Sequence, residues 1–237
     1  MEIYAVNIAG LNEFNFDYET YNQVVSEQTL EKAKNYKHFK DSVRTIIGEL
    51  LVYYVYHQNH MEKEINIPLV ILRNEYGKPY CNEVNFHFNV SHAGSWVVCI
   101  VDTKQVGIDI ELMTNIDYEA LISLFHSFES QQMKATTSKK DYFYNLWTIK
   151  ESVIKNIGKG LSIPLDSFYV RLNQEVTSIH FEGSKLDDTK FHVQMFEFQE
   201  NYKLAACALH DKFPDSINLL DATNLFSFLA SDGRLLK

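Results

Sequence analysis

The stretch Val106-Gly107-Ile108-Asp109-Ile110-Glu111-Leu112 has the two-residue period of a β-strand. On a strand Asp109 and Glu111 point to one side, while Ile108, Ile110 and Leu112 enter the core from the other. Two carboxylates side by side repel unless a cation neutralises them. Oxygen-only donors suit a hard ion such as Mg²⁺, which takes one or two carboxylates together with waters and phosphate oxygens. On its own the pair also reads as an ordinary solvated strand face.

This strand opens the second of two runs with the same layout. In the first run, Glu2–Asn7 alternates as a strand, and Ser26 caps a helix through about Tyr36. A second helix covers about 41–60, with Val43, Ile46, Ile47, Leu50, Leu51, Tyr54 and Val55 on one broad face. Glu75-Tyr76-Gly77-Lys78-Pro79 is a turn, followed by strands at 86–90 and 96–101. After residue 112, Asp117 caps a helix through Phe125, a shorter helix lies near Glu129, and a strong one runs from Asp141 to about Gly158. Strands follow near 168–172, 176–181, 191–198 and 202–209, and the tail from Ile217 adds a strand and a short helix. Helices are grouped rather than alternating with every strand, so the fold class is α+β, not a doubly wound sheet. The expected organisation is two tightly joined subdomains, 1–104 and 105–237.

Composition bounds the function. The 237 residues are 46% hydrophobic with only 9 Gly and 4 Pro, which excludes a disordered chain. No run approaches the ~20 apolar residues that span a bilayer, and the start carries Glu2 without a basic region, so neither a membrane span nor a signal peptide is expected. Three cysteines, Cys81, Cys99 and Cys207, suit the reduced thiols of a cytoplasmic protein. The net charge of −9 argues against nucleic-acid binding. Within it, Lys32, Lys34, Lys37, Lys40 and Arg44 against Asp41 make a local +4, either a solvated face or a site for an anion.

Trp147, Glu151 and Lys155 fall at i, i+4 and i+8 on one helix face. Either Glu151 and Lys155 are a surface pair, or Glu151 completes a metal site and Lys155 meets a phosphate. Ser91-His92 closes a strand. Adjacent in sequence, they are no nucleophile–base pair, but strand-end hydroxyls and imidazoles suit phosphate positioning. Gly158-Lys159-Gly160 lacks the Walker spacing, and His57 with His60 lacks the further ligands of a zinc site.

Taken together, these motifs resemble the signature pair of the 4′-phosphopantetheinyl transferases of the surfactin-synthetase-activating type. The resemblance extends over 75–79, 88–96, 141–147 and 158–168, nearly the whole chain to about His210. It implies two similar α+β subdomains related by a pseudo-twofold, with coenzyme A and Mg²⁺ in the cleft between them. It implies Asp109, Glu111 and Glu151 as metal ligands, Lys155 as the pyrophosphate contact and Lys150 as a supporting one. Gly77, Lys78 and Pro79 would border the adenine. Ser91, His92, Arg44, Thr45 and Lys32 would contact the coenzyme's phosphates. Thr29 stands where the family type has a second lysine, so Thr29→Lys is expected to tighten coenzyme A binding.

The reaction so implied is attack by a serine hydroxyl of an apo carrier protein on the phosphate bearing the pantetheine arm, with 3′,5′-ADP leaving. The base is either Glu129, in Phe128-Glu129-Ser130, or a metal-bound water oriented by Glu111. A metal-dependent nuclease and a non-catalytic carrier-binding protein are the rival readings. The acidic balance opposes the first, and the full set of expected ligands opposes the second. The carrier would dock on the apolar segment 160–166 beside Lys159, and a monomer suffices to form the cleft.

Overall fold

The computed structural model describes residues 1–59, 69–172, 177–182 and 188–231. In chain order the elements are β1 (Glu2–Asn7), α1 (Glu27–Lys34), α2 (Phe39–Asn59), β2 (Leu72–Arg73), β3 (Pro79–Tyr80), β4 (His87–Ala93), β5 (Trp96–Asp102) and β6 (Val106–Leu112). They continue with α3 (Tyr118–Leu121), α4 (Ser127–Ala135), α5 (Lys139–Ile157), β7 (Phe168–Leu172), β8 (Thr177–Phe181), β9 (His192–Phe196), β10 (Tyr202–Ala208), β11 (Asn218–Asp221) and α6 (Ala222–Ser231). The expected caps form: Ser26 Oγ accepts from Thr29 N–H at the start of α1, and Asp117 Oδ1 accepts from Ala120 N–H at the start of α3. The expected ends at residues 60 and 176 lie outside the described residues.

The chain divides into two compact units. One comprises Met1–Leu72, Pro79–Thr103 and Pro214–Lys237, the other Arg73–Lys78 and Lys104–Phe213. The chain passes from one unit to the other at Thr103–Lys104, and two further segments join the unit that is distant in sequence. The tail joins the first unit because β11 pairs parallel to β1, Tyr4 opposite Asn218 through Asn7 opposite Asp221. The turn 73–78 joins the second unit, and its side chains explain why, as described below.

In the first unit the sheet order is β11-β1-β5-β4, with β1 and β4 both antiparallel to β5. Ile46, Ile47, Leu50, Leu51 and Val55 of α2 bury in one core with Val97, Cys99 and Val101 of β5 and Leu225 and Leu229 of α6. At ~1.5–3 kcal/mol for each fully buried large aliphatic side chain, this face of α2 is the main anchor of the unit. In the second unit β6-β10-β9 repeats the order β1-β5-β4: the first strand pairs antiparallel with the last, and the middle strand takes the edge. Helix α5 packs Ile149 and Val153 in a core with Ala205 and Cys207 of β10. Each unit is thus α+β. Among the described residues no helix is long and apolar enough to cross a membrane.

Candidate active site

Gly107, Asp109 and Glu111 share the face of β6 that receives α5. A Cβ at Gly107 would stand 2.0 Å from the Ser152 carbonyl oxygen and 2.5 Å from the Asn156 nitrogen, so only glycine admits the helix backbone this close. That approach sets Lys155 against Asp109, with Nζ 2.5 Å from Oδ1. Two turns earlier on the same helix face, Trp147 Nε1–H donates to Glu111 Oε1 at 2.9 Å. The indole is held in a three-ring cluster: Phe125, Phe143 and Trp147 lie with all three centroid distances between 5.8 and 6.0 Å. Sequence spacing suggested the Trp147–Glu151–Lys155 face but not the partner of each side chain. The i, i+4 pair Phe143 and Trp147 was the available signal for the stack.

The acidic pair is therefore not a solvated strand face. Asp109 is 3% exposed. Burial, and next the charge of Asp109, push the Glu111 carboxyl up to about 7 against the opposing effects of the Trp147 N–H and Lys155. Burial and then Asp109 raise Glu151 as well, with Lys155 opposing. Three mutually repelling, oxygen-only donors are the chemistry a hard divalent cation relieves. They do not form a finished cage: among the described residues no three His, Cys, Asp or Glu side chains are grouped as a metal site, and Lys155 supplies the positive charge beside Asp109.

Of the other expected ligand contacts, Lys32, Arg44, Thr45, Pro79, Ser91 and His92 lie in the first unit, whereas Gly77 and Lys78 lie in the second. Lys32 is exposed on α1, its ammonium 5.9 Å from the centre of the Tyr36 ring. Arg44 is braced, donating from Nε to the Gly94 carbonyl at 3.0 Å and from Nη1 to Asp41 at 2.6 Å. Thr45 Oγ1 is buried with no hydrogen-bond partner among the described residues. Ser91 and His92 are consecutive on β4, so their side chains leave opposite faces, the first buried and the second exposed. Gly77 turns the chain at φ +85°, which glycine adopts without strain.

Two family models cover the chain. Residues 13–104 match the one described as 4′-phosphopantetheinyl transferase, N-terminal, and residues 105–207 match the 4′-phosphopantetheinyl transferase superfamily. The chain is 36% identical over 211 residues to the 4′-phosphopantetheinyl transferase Sfp of Bacillus subtilis (strain 168), across 87% of this chain and 92% of that one. It is 38% identical over 190 residues to the 4′-phosphopantetheinyl transferase gsp of Aneurinibacillus migulanus, across 78% and 76% of the two chains. The chain belongs to the 4′-phosphopantetheinyl transferases. As a transferase of this family it moves the 4′-phosphopantetheine arm of coenzyme A to a carrier protein. A solved holo-[acyl-carrier-protein] synthase of Thermotoga maritima overlaps 47% of this chain and 66% of its own at 16% identity, with a TM-score of 0.39, too slight to inform the site.

Three expectations for this 4′-phosphopantetheinyl transferase are corrected by where its side chains lie. Glu129, expected as a general base, is enclosed at 0% exposure. Its Oε1 accepts from Val170 N–H at 2.8 Å, and its Oε2 accepts from His126 N–H at 3.1 Å and faces Lys150 Nζ at 3.0 Å. It closes a capping box on α4 and has no path to a substrate hydroxyl. Lys150, expected beside the coenzyme, is equally enclosed: its ammonium donates to the Leu165 carbonyl at 2.7 Å and the Phe168 carbonyl at 2.5 Å and lies 4.0 Å from the Phe168 ring centre. Together the pair ties α4, α5 and the start of β7 into one block. Thr29 is 1% exposed, so a lysine there meets the core of its unit rather than a phosphate, and the gain expected from Thr29→Lys does not follow.

Proposed function

We propose that this transferase works through the α5–β6 face, with Lys155 and the three carboxylates Asp109, Glu111 and Glu151 as its reacting-end residues. A Mg²⁺ ion held by those carboxylates would neutralise charge on the coenzyme A pyrophosphate. The carrier serine oxygen forms a bond to the phosphorus that bears the pantetheine arm. The bridging P–O bond breaks, and 3′,5′-ADP leaves with that oxygen. The ammonium of Lys155 stabilises the charge that collects on the leaving oxygens, exchanging Asp109 for phosphate as its partner. With Glu129 enclosed, a water oriented by Glu111 is left to take the serine proton, and the three carboxylates stay free to hold the ion. Glu111 is held in orientation by Trp147.

The single observation that carries this reading is the convergence of Lys155 on Asp109 and of Trp147 on Glu111 along one helix–strand contact. In the first unit, Lys32, Arg44, Ser91, His92 and the buried Thr45 hydroxyl are the proposed contacts to the coenzyme's other phosphates. The carrier docks on residues 160–166 with exposed Lys159 meeting its acidic surface, and the chain acts as a cytoplasmic monomer. Its three free cysteines suit that compartment. Calorimetric titration of Mg²⁺ into the protein with saturating coenzyme A tests the metal assignment. Wild type should bind one equivalent and Glu151→Gln should lose it; equal binding by both would refute the ligand set.

A further inference from the structure

The turn 73–78 lies far from α5 in sequence, yet it packs as part of the same unit. Lys78 sends its half-buried ammonium to two backbone carbonyls, Asn156 at 3.1 Å in the last turn of α5 and Val106 at 3.3 Å in β6. Asn74 Nδ2 donates to the Gly158 carbonyl at 2.8 Å, while Asn74 Oδ1 accepts from Lys78 N–H at 2.9 Å and Tyr76 N–H at 3.0 Å. Gly158 ends the helix at φ +79°, and a Cβ there would come within 2.9 Å of the Lys78 side chain. Asn156 completes the arrangement, donating from Nδ2 to the Gln105 and Cys207 carbonyls at 3.0 Å each.

We propose that Lys78 is a positioning residue for transfer: it clamps the C-terminal end of α5 to β6 and so keeps Lys155 in register with Asp109. A cation at the end of a helix satisfies carbonyls that have no partner within the helix and complements their partial charge. Here the carbonyl is that of Asn156, the residue that follows Lys155. Lys78 acts through α5 and touches neither the transferred group nor the pyrophosphate. This inference rests on the proposed function.

The test is steady-state kinetics of Lys78→Met, which keeps length and loses the donors, beside Lys78→Arg, which keeps donors. A small displacement of a reacting group is enough to cost orders of magnitude in rate, so kcat should fall at least ~10-fold in Lys78→Met. KM for coenzyme A should move less than ~3-fold, because uniform binding is not what is lost. Lys78→Arg should recover most of the rate. On a Lys155→Ala background Lys78→Met should have little further effect, since residues acting as a unit are not additive. A rise in KM with kcat unchanged would make Lys78 a ligand contact instead. An equal loss of kcat with and without Lys155 would also overturn the proposal. If Lys78→Met does not fold, Asn74→Ala removes the neighbouring tie and is read the same way. Wild-type transfer is measured first. If it is absent, the functional reading fails. The clamp is then read from amide hydrogen exchange over 153–158, faster in the variant if the clamp exists and unchanged if it does not.

Discussion

The indole of Trp147 donates its N–H to Glu111 Oε1 across 2.9 Å, and this bond sets which way the carboxylate faces. Trp147→Phe keeps a ring for the stack with Phe125 and Phe143 but removes the donor. Its expected cost in stability is about 1 kcal/mol, while transfer falls about 10-fold or more because Glu111 loses its orientation. Thermal unfolding and initial rates of carrier modification measured together check the split. A variant that loses stability and keeps its rate would show the bond to be structural only.

Lys155→Ala removes the ammonium placed at the leaving oxygens. Loss of one preorganised charge-stabilising group typically costs ~10²–10³ in kcat, and that is the expected range here. Its partner Asp109 is left buried without a cation, so a lower melting temperature in metal-free buffer is also expected, partly restored by Mg²⁺.

Glu129 and Lys150 face each other at 3.0 Å with both side chains fully buried. Breaking such a pair by removing one partner costs ~3–5 kcal/mol, because the other charge stays buried. Glu129→Gln should therefore lower the denaturation midpoint while transfer by the folded fraction continues. Full stability with abolished transfer would restore Glu129 as the base.

Burial pushes the ammonium of Lys78 down to about 8, with Cys207 opposing weakly. Lys150 is likewise down to about 8 through burial, opposed by Glu129. Between pH 8 and 10.5 the unfolded chain binds more protons than the folded one, so these lysines make stability rise with pH. Above pH 9 the thiols of half-buried Cys81 and buried Cys99 and Cys207, all raised by burial, act increasingly the other way. The clean window is pH 8 to 9. There denaturation at stepped pH should show a positive slope in wild type and a smaller one in Lys78→Met.

Much of the fold is legible because its signals are local. The alternation of β6, the caps Ser26 and Asp117, and the αL glycine at the end of α5 each need only a few neighbouring residues. The acidic residues Asp109, Glu111 and Glu151, with Lys155, were legible for the same reason, since strand and helix periods place them on one face of β6 and one face of α5. Depth was not. Glu129 looks like a surface acid in sequence, and only tertiary packing of α4 against α5 and β7 buries it. Nor does sequence reveal that the tail adds its strand to the edge of β1, or that Lys78 reaches the end of α5. Those pairings join segments from opposite ends of the chain or of a unit, and no short-range pattern encodes them.

The most direct test is the intact mass of an apo carrier protein after incubation with this chain, coenzyme A and Mg²⁺. A shift by one phosphopantetheine arm is expected, abolished by EDTA and by Asp109→Ala. An unchanged carrier mass with wild-type protein, or an undiminished shift with Asp109→Ala, would contradict the assignment of transfer to the α5–β6 face.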